Sequence, residues 1–386
     1  MNGDAARRWA WADIDLDAIR HNVEQLRSTV APSGLWAVVK ANGYGHGAVD
    51  VARAALAGGA DGLCVALAQE GLELRDEGIA APILVLSEQP LAAAPDIVRH
   101  DLTPTVYTTE YVDALAAAAR DAGRVDVAVH VKVDTGMQRV GVDPAGAAAL
   151  VGHVVDHGPT LRVDGVFTHL AVADDPTNSF TTTQLECFDR VLEGLGNAAP
   201  PIVHAANSAA ALASAAARRS FVRAGIAVYG ISPGEGVDHL CTALRPALSL
   251  RARVSLVKTV RAGSRISYGL RHTFDRDTTV ATVPIGYADG VPRRLSAVGG
   301  EVLIGGRRRP IVGVVTMDQL MVDCGPDASV ARGDEVVLIG SQDGPEGEEQ
   351  IRAEDWADAL DTIGYEIVCG IGPRVPRRTG PSIDAW

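Results

Sequence analysis

The chain has 386 residues and a mass of 40.2 kDa, room for about two domains and a sizeable buried core. Its 47% hydrophobic and 22% charged residues exclude a disordered chain. A net charge of −13 with only 4% aromatic residues leaves neither a phosphate-neutralising surface nor a base-stacking platform, so no nucleic-acid partner is expected.

A helix is predicted over Asp15 to Val30, where Leu16, Ile19, Val23 and Leu26 recur at helical spacing. Short apolar runs then alternate with Ala-rich segments. Strands are predicted at Leu35 to Lys40, Gly62 to Ala66, Pro82 to Leu86, Thr103 to Tyr107, Val127 to Asp134, Val163 to His169, Ile202 to Asn207 and Phe221 to Tyr229. Stretches such as Tyr111 to Asp121, Pro144 to His157 and Thr182 to Leu195 supply helical crossovers. An open doubly wound sheet would alternate in the same way, but a count of about eight strands favours a closed α/β fold, the (β/α)8 TIM-type barrel.

Past about Leu244, strand-like runs are separated by Gly, Pro and Asp turns: Leu248 to Thr259, Thr278 to Pro284, Val302 to Ile304, Ile311 to Val315, Gln319 to Val322 and Glu335 to Ile339. The expected division is a barrel over 1–244 and a mostly β domain over 245–386. Gly340 to Glu349 reads as an exposed loop. Arg307, Arg308 and Arg309, between Gly305-Gly306 and Pro310, read as a solvated hairpin turn.

Cys64, Cys187, Cys241, Cys324 and Cys369 contain no CxxC pair and read as core thiols, with neither a disulfide framework nor a metal expected. Met1 to Asp15 is polar without an apolar h-region, and no apolar run reaches the ~18 residues of a membrane span. A cytoplasmic protein with no membrane partner is therefore expected.

Chemistry concentrates at the predicted strand ends. In Trp36-Ala-Val-Val-Lys40-Ala-Asn-Gly-Tyr44-Gly-His-Gly47 a lysine stands where an apolar strand meets a glycine-rich turn. A lysine in an apolar pocket can lose its proton and form a Schiff base with a carbonyl cofactor, whereas a strand-end lysine can equally reach solvent. The glycines match neither the dinucleotide fingerprint nor a P-loop. Asp134-Thr-Gly-Met-Gln-Arg139, His169, Asn207-Ser208 and Arg223 with Gly225-Ile226 would share the C-terminal rim of a parallel barrel. Cations, a ring, a hydroxyl and glycine amides there suit a phosphorylated aromatic aldehyde.

The ordered segments AVVKANGYGHG, VKVDTGMQRVG, THLAVADDP, HAANSAA, VRAGIAVYGISP, ISYG, PIGYADGVPR, TMDQLMVD and TIGYEIVCGIGPRVPR cover almost the whole chain. In them the sequence resembles the alanine racemase family. The resemblance implies pyridoxal 5′-phosphate carried on Lys40, with Tyr44, Ser208, Gly225, Ile226 and Tyr365 at its phosphate. It also implies His169 against the cofactor ring, Arg223 at the pyridine nitrogen and Arg139 at the phenolic oxygen and substrate carboxylate. Tyr268 corresponds to the second base and Met317 supplies a backbone amide, both from the β domain of the opposite subunit of a homodimer.

Racemisation moves a proton from one face of Cα to the other, so bases on opposite faces explain why both Lys40 and Tyr268 are needed. Each must titrate about two to three units below its reference value, and Arg139, Arg223 and His169 are the expected source of the positive field. An arginine does not give its proton to the pyridine nitrogen, so transamination should be slow.

Lys132 matches a lysine carbamylated in this family, though an unmodified lysine balanced by an anion fits equally. Tyr287 and Arg293 match entrance-gate positions, where a tyrosine can also simply pack. His153 and His157, four residues apart, lack a third ligand and are assigned to a helix surface. The implied activity is interconversion of L- and D-alanine, supplying D-alanine for peptidoglycan. A serine or broad-specificity racemase, a decarboxylase of a basic amino acid, or a non-catalytic pyridoxal-phosphate-binding protein are the alternatives.

Overall fold

The computed structural model describes residues 8–326 and 329–380. The chain divides into two compact units, one of residues Asp17–Arg245 and one joining the residues up to Leu16 with those from Pro246 onward. The expected boundary near residue 244 therefore misses one element. Strand β1 (Ala10–Ile14) pairs antiparallel with Leu248–Arg253, Ile14 opposite Leu248, and parallel with Arg377–Thr379. Its Ala10, Trp11, Ala12 and Ile14 are buried, and Arg378 lies 4.3 Å from the Trp11 ring. Partners more than 230 residues away leave no local signal, which is why a polar neighbourhood in sequence hid this strand.

In the first unit β2 (Gly34–Val38), β3 (Gly62–Val65), β4 (Ile83–Val85), β5 (Thr103–Val106), β6 (Val127–Lys132), β7 (Leu161–Phe167), β8 (Ile202–His204) and β9 (Phe221–Ala224) form one eight-stranded parallel sheet. β9 pairs with β2, and two backbone bonds join it to the β8 segment: Ser220 N to Val203 O at 2.9 Å and Arg223 N to Ala206 O at 3.0 Å. All eight predicted strands are present and the barrel closes. The run predicted through Tyr229 stops at Ala224, because the chain turns at Gly225 into a short 3-10 segment, Ile226–Tyr229.

Crossover helices pack on the barrel through alanines and branched aliphatics, as in Thr109–Asp121, where Val112, Leu115, Ala116 and Ala119 face inward at helical spacing. Inside, Trp36 stacks on Phe221 at 4.2 Å, and His204 lies between Phe167 at 4.5 Å and Phe221 at 4.7 Å. The barrel interior is thus a packed aromatic layer rather than a pore.

The second unit contains β10 (Leu248–Arg253), β11 (Leu256–Val260), β12 (Arg265–Ile266), β13 (His272–Thr273), β14 (Thr278–Val283), β15 (Glu301–Ile304), β16 (Arg308–Val312), β17 (Leu320–Gly325), β18 (Glu335–Gly344), β19 (Gly347–Ile351) and β20 (Arg377–Thr379). Its main sheet runs β11-β14-β17-β16-β15-β18-β10-β1-β20, with β19 on β18. The expected loop at Gly340 to Glu349 is instead a hairpin, Ser341 opposite Gln350 and Gly344 opposite Gly347. Its residues from Ser341 to Gln350 are polar on both faces or glycine and proline, so no apolar period marks it. The arginine-rich turn is narrower than predicted: Gly305 and Gly306 take φ of 62° and 65°, while Arg308 and Arg309 lie in β16. Arg308 pairs with Glu349 at 3.1 Å and Glu301 at 3.4 Å.

Of the five thiols only Cys64 and Cys324 are buried; Cys187 and Cys241 are half-buried and Cys369 is exposed. Among the described residues no helix is long and apolar enough to cross a membrane.

Candidate active site

Lys40 follows β2 and opens a turn of unusual backbone. Ala41, Asn42, Gly43, Tyr44 and Gly45 all take left-handed φ, from 50° to 81°. Such geometry costs a non-glycine residue about 1–2 kcal/mol, so neighbours must hold it. Glu70 accepts from Ala41 N at 2.6 Å while its other oxygen accepts from Ala66 N at 2.8 Å and Leu67 N at 3.0 Å. Asn42 Oδ1 accepts from Ala48 N at 3.0 Å. A run of strained residues beside one lysine is a feature of functional loops.

At the end of β9, Arg223 is only 4% exposed. It donates to Thr168 O at 2.8 Å and Ala205 O at 3.1 Å, lies 2.6 Å from His204 Nδ1, and stands 5.0 Å from the Phe167 ring centroid. Burial pulls its guanidinium down to about 10, which leaves it charged near neutrality. Among the described residues no carboxylate pairs with it.

His204 Nε2 is in turn 3.0 Å from His130 Nδ1, and His130 Nε2 faces Asp164 across 3.8 Å, an ion-pair separation longer than a hydrogen bond. The partners assign the tautomers: Arg223 donates to His204 Nδ1, so His204 carries its proton on Nε2 and passes it toward His130. Burial, reinforced by Arg223, holds His204 well below the ordinary histidine range.

His169 is held well below that range too, by burial first and then by Arg223, Lys132, Arg139 and Lys40. It is neutral at neutral pH. That runs against the expectation that His169 adds to the positive field: burial first, and then the cations around it, disfavour a charge there.

Lys132, 5% exposed at the end of β6, stands 5.4 Å from the Phe167 ring centroid. Its amine is pushed down to about 7, by burial first and then by Arg223 and Arg139, with Asp134 opposing. Asp134 also shapes the next loop, accepting from Gly136 N at 2.9 Å, Gln138 N at 3.0 Å and Arg139 N at 3.1 Å. Lys132, Asp134, Met137, Arg139, Thr168 and His169 line one small cavity.

An anion cradle lies alongside. Ser208 Oγ accepts from Gly225 N at 2.8 Å, which leaves its hydroxyl proton available to a ligand. A Cβ on Gly225 would sit 2.6 Å from the Tyr44 hydroxyl, so only glycine lets the phenol approach here. Ile226 is buried at the start of the following turn.

The remaining predicted residues belong to the β unit. Tyr268 is 72% exposed and is framed by left-handed backbone at Ser267 (φ 65°), Gly269 (φ 74°) and Leu270 (φ 46°). Ser267 Oγ donates to Val314 O at 3.0 Å, and a Cβ on Gly313 would lie 2.5 Å from that of Ser267. The next residues of the same segment hold Tyr287 and Met317, through Tyr287 N to Thr316 O and Ala288 N to Met317 O, both 3.0 Å. Tyr287, Met317 and Arg293 are exposed and Tyr365 is half-buried.

Glu70, His130 and His204 are positioning groups that motif reading passed over, and Asp134, named there only as part of its segment, proves to be a fourth. His204 and Asp134 stand at strand ends, a signal available in sequence; Glu70 and His130 act through contacts that only folding creates.

The fold and rim define a (β/α)8-barrel enzyme with an additional β unit. The chain belongs to the alanine racemase family: the alanine racemase N-terminal domain matches residues 14–233 and the C-terminal domain residues 247–379. It is 49% identical to the alanine racemase of Symbiobacterium thermophilum over 97% of both chains, and 46% identical to that of Thermobifida fusca over 96% of this chain and 97% of the other. Among solved structures it is similar to the alanine racemase of Streptomyces coelicolor, with TM-score 0.91, 39% identity and all of both chains covered. The alanine racemase of the D-cycloserine producer Streptomyces lavendulae superposes with TM-score 0.90 at 41% identity over 98% of each chain.

Proposed function

We propose that this racemase interconverts L- and D-alanine with pyridoxal 5′-phosphate held on Lys40, and that Tyr268 of a second subunit completes each site. The observation carrying the reading is the buried Arg223 guanidinium beside a Ser208–Gly225 cradle, with Lys132, Arg139 and Lys40 around it and Asp134 the acidic group named against them. That excess of positive charge fits a phosphorylated aromatic aldehyde. Tyr44, Ser208, Gly225, Ile226 and Tyr365 would hold the phosphate, His169 would pack on the ring, Arg223 would face the pyridine nitrogen and Arg139 the phenolic oxygen.

The cofactor, when bound, supplies an electron-withdrawing system that acidifies the Cα–H of the substrate. Lys40 Nζ takes or returns the proton on one face of Cα, and the Tyr268 hydroxyl does so on the other. Arg139 and the Met317 amide orient the carboxylate, while Tyr287 and Arg293 border the way in. Because Arg223 stays charged and donates a hydrogen bond to His204 Nδ1, it would not release a proton to the pyridine nitrogen, which keeps transamination slow.

Lys132 carries a carbamate in this reading. An amine near 7 is in part neutral at physiological pH and can attack carbon dioxide, releasing one proton, and the new anion would sit among Arg223 and Arg139. A carbamate resonance in 13C spectra under labelled carbon dioxide, absent in Lys132→Ala, tests it.

The domain division follows the same roles: the barrel unit, Asp17–Arg245, carries the cofactor, and the β unit, which joins the residues up to Leu16 with those from Pro246 onward, brings the second base. The exposed Tyr268 supports its service to another copy. If inactive Lys40→Ala and Tyr268→Phe chains regain activity on mixing, the homodimeric site stands; no recovery despite subunit exchange rejects it. D-alanine made in the cytoplasm would feed peptidoglycan synthesis, which complementation of a D-alanine auxotroph checks. The decisive experiment is chiral analysis after incubating the cofactor-loaded enzyme with a panel of L-amino acids: D-alanine should dominate, and a chain that accepts serine equally or exchanges no α-hydrogen overturns the assignment.

A further inference from the structure

His153 and His157 lie on the last turn of helix Ala147–Asp156 and just beyond it, and a spacing of four sets both rings on one face. Their ring centroids are 5.2 Å apart at 87°. The neighbouring helix, Thr109–Asp121, brings Asp113 between them, its Oδ1 2.8 Å from the Nε2 atom of each ring. Three ligand atoms thus gather within 4.8 Å of one another. This third ligand, forty residues from His153, is what the sequence alone could not place.

Nothing in the racemase chemistry uses this cluster. All three side chains are partly open to solvent, so an ion can enter and keep water in its remaining positions. Two imidazole nitrogens and one carboxylate oxygen are a borderline donor set suited to zinc, cobalt or nickel rather than to magnesium or calcium. Bonds of about 2.0–2.1 Å in tetrahedral geometry space the donor atoms roughly 3.3 Å apart, so each 2.8 Å contact must widen by about half an ångström. Exposed side chains reach that by small rotations.

We propose that Asp113, His153 and His157 form a divalent transition-metal site of the zinc type that clips the helix following β5 to the helix following β6. It is independent of the cofactor site, and no residue placed in the catalytic machinery belongs to it.

The test is calorimetric titration of the chelator-treated, cofactor-loaded enzyme with zinc chloride alone, in wild type, His153→Ala, Asp113→Asn and Cys369→Ser. The expected result is one zinc per chain, weakened at least about tenfold by the first two substitutions and unchanged by the third. Zinc should also raise the melting temperature of wild type and not of His153→Ala, and cobalt should give visible ligand-field bands without a thiolate charge-transfer band. Magnesium and calcium should not bind. Equal zinc binding in all four proteins, dependence on Cys369, a thiolate band with cobalt, or no binding at millimolar zinc would each overturn the site.

Discussion

The two units present their chemistry in opposite ways. At the barrel rim two cations are buried against neutral groups, Arg223 bonded to His204, Thr168 and Ala205 and Lys132 against Phe167, while Lys40 is half-buried and Arg139 exposed. On the β unit Tyr268, Tyr287 and Met317 are displayed to solvent, Tyr268 next to a Ser267 hydroxyl that donates to Val314 O, and Tyr287 and Met317 tied in by backbone bonds. One region is preorganised by burial, the other is exposed surface, as the proposed service of Tyr268 to a second subunit requires. Both proposed bases nevertheless share one local device, a left-handed run of backbone adjoining Lys40 and enclosing Tyr268. Local strain fixes where the reactive group points in either setting, whereas burial decides what surrounds it.

The sharpest way to break this contrast is to remove each base in turn. Lys40→Ala should lower kcat by at least ~10⁴ in both directions, read by chiral chromatography. Tyr268→Phe should cost about 10²–10⁴ in racemisation in both directions, since the two enantiomers are equal in energy, but solvent deuterium exchange should be lost from one enantiomer and kept by the other. Equal losses of exchange from both enantiomers would contradict a two-face division of labour.

Gly225→Ala tests the preorganised side, because its methyl must displace the Tyr44 phenol. Cofactor affinity should fall by about one to two orders of magnitude, roughly 1.4–2.7 kcal/mol, measured by fluorescence titration, with the fold retained. His204→Leu strips a partner from a buried guanidinium and should destabilise the chain by about 1–3 kcal/mol in urea unfolding. His204→Gln, which can still accept from Arg223, should recover part of that loss.

Acid sensitivity separates the units again. His130, His169 and His204 are held neutral, with folded values below the unfolded one of about 6.5. Below that pH the unfolded chain binds protons that the folded one refuses, so this contribution is intact above about 6.5 and is lost as pH falls. The melting temperature should drop between pH 7.5 and 5.5, and less steeply in His130→Gln. The smallest effect expected is Glu70→Gln, which leaves the shape but weakens the grip on Ala41, costing about 1 kcal/mol and a few-fold in kcat/KM.

Periodicity was enough to predict eight barrel strands and the helix that starts at Leu16, and motif order was enough to predict the family, because each such signal is carried by residues adjacent in the chain. Tertiary structure alone decided the place of Ala10–Ile14, the β18–β19 hairpin, the neutrality of His169 and the convergence of Asp113 on His153 and His157. Those outcomes depend on which distant groups share one low-dielectric space or one helix pair. Charge and strand pairing act through space, so linear order names the participants but not the field each of them feels.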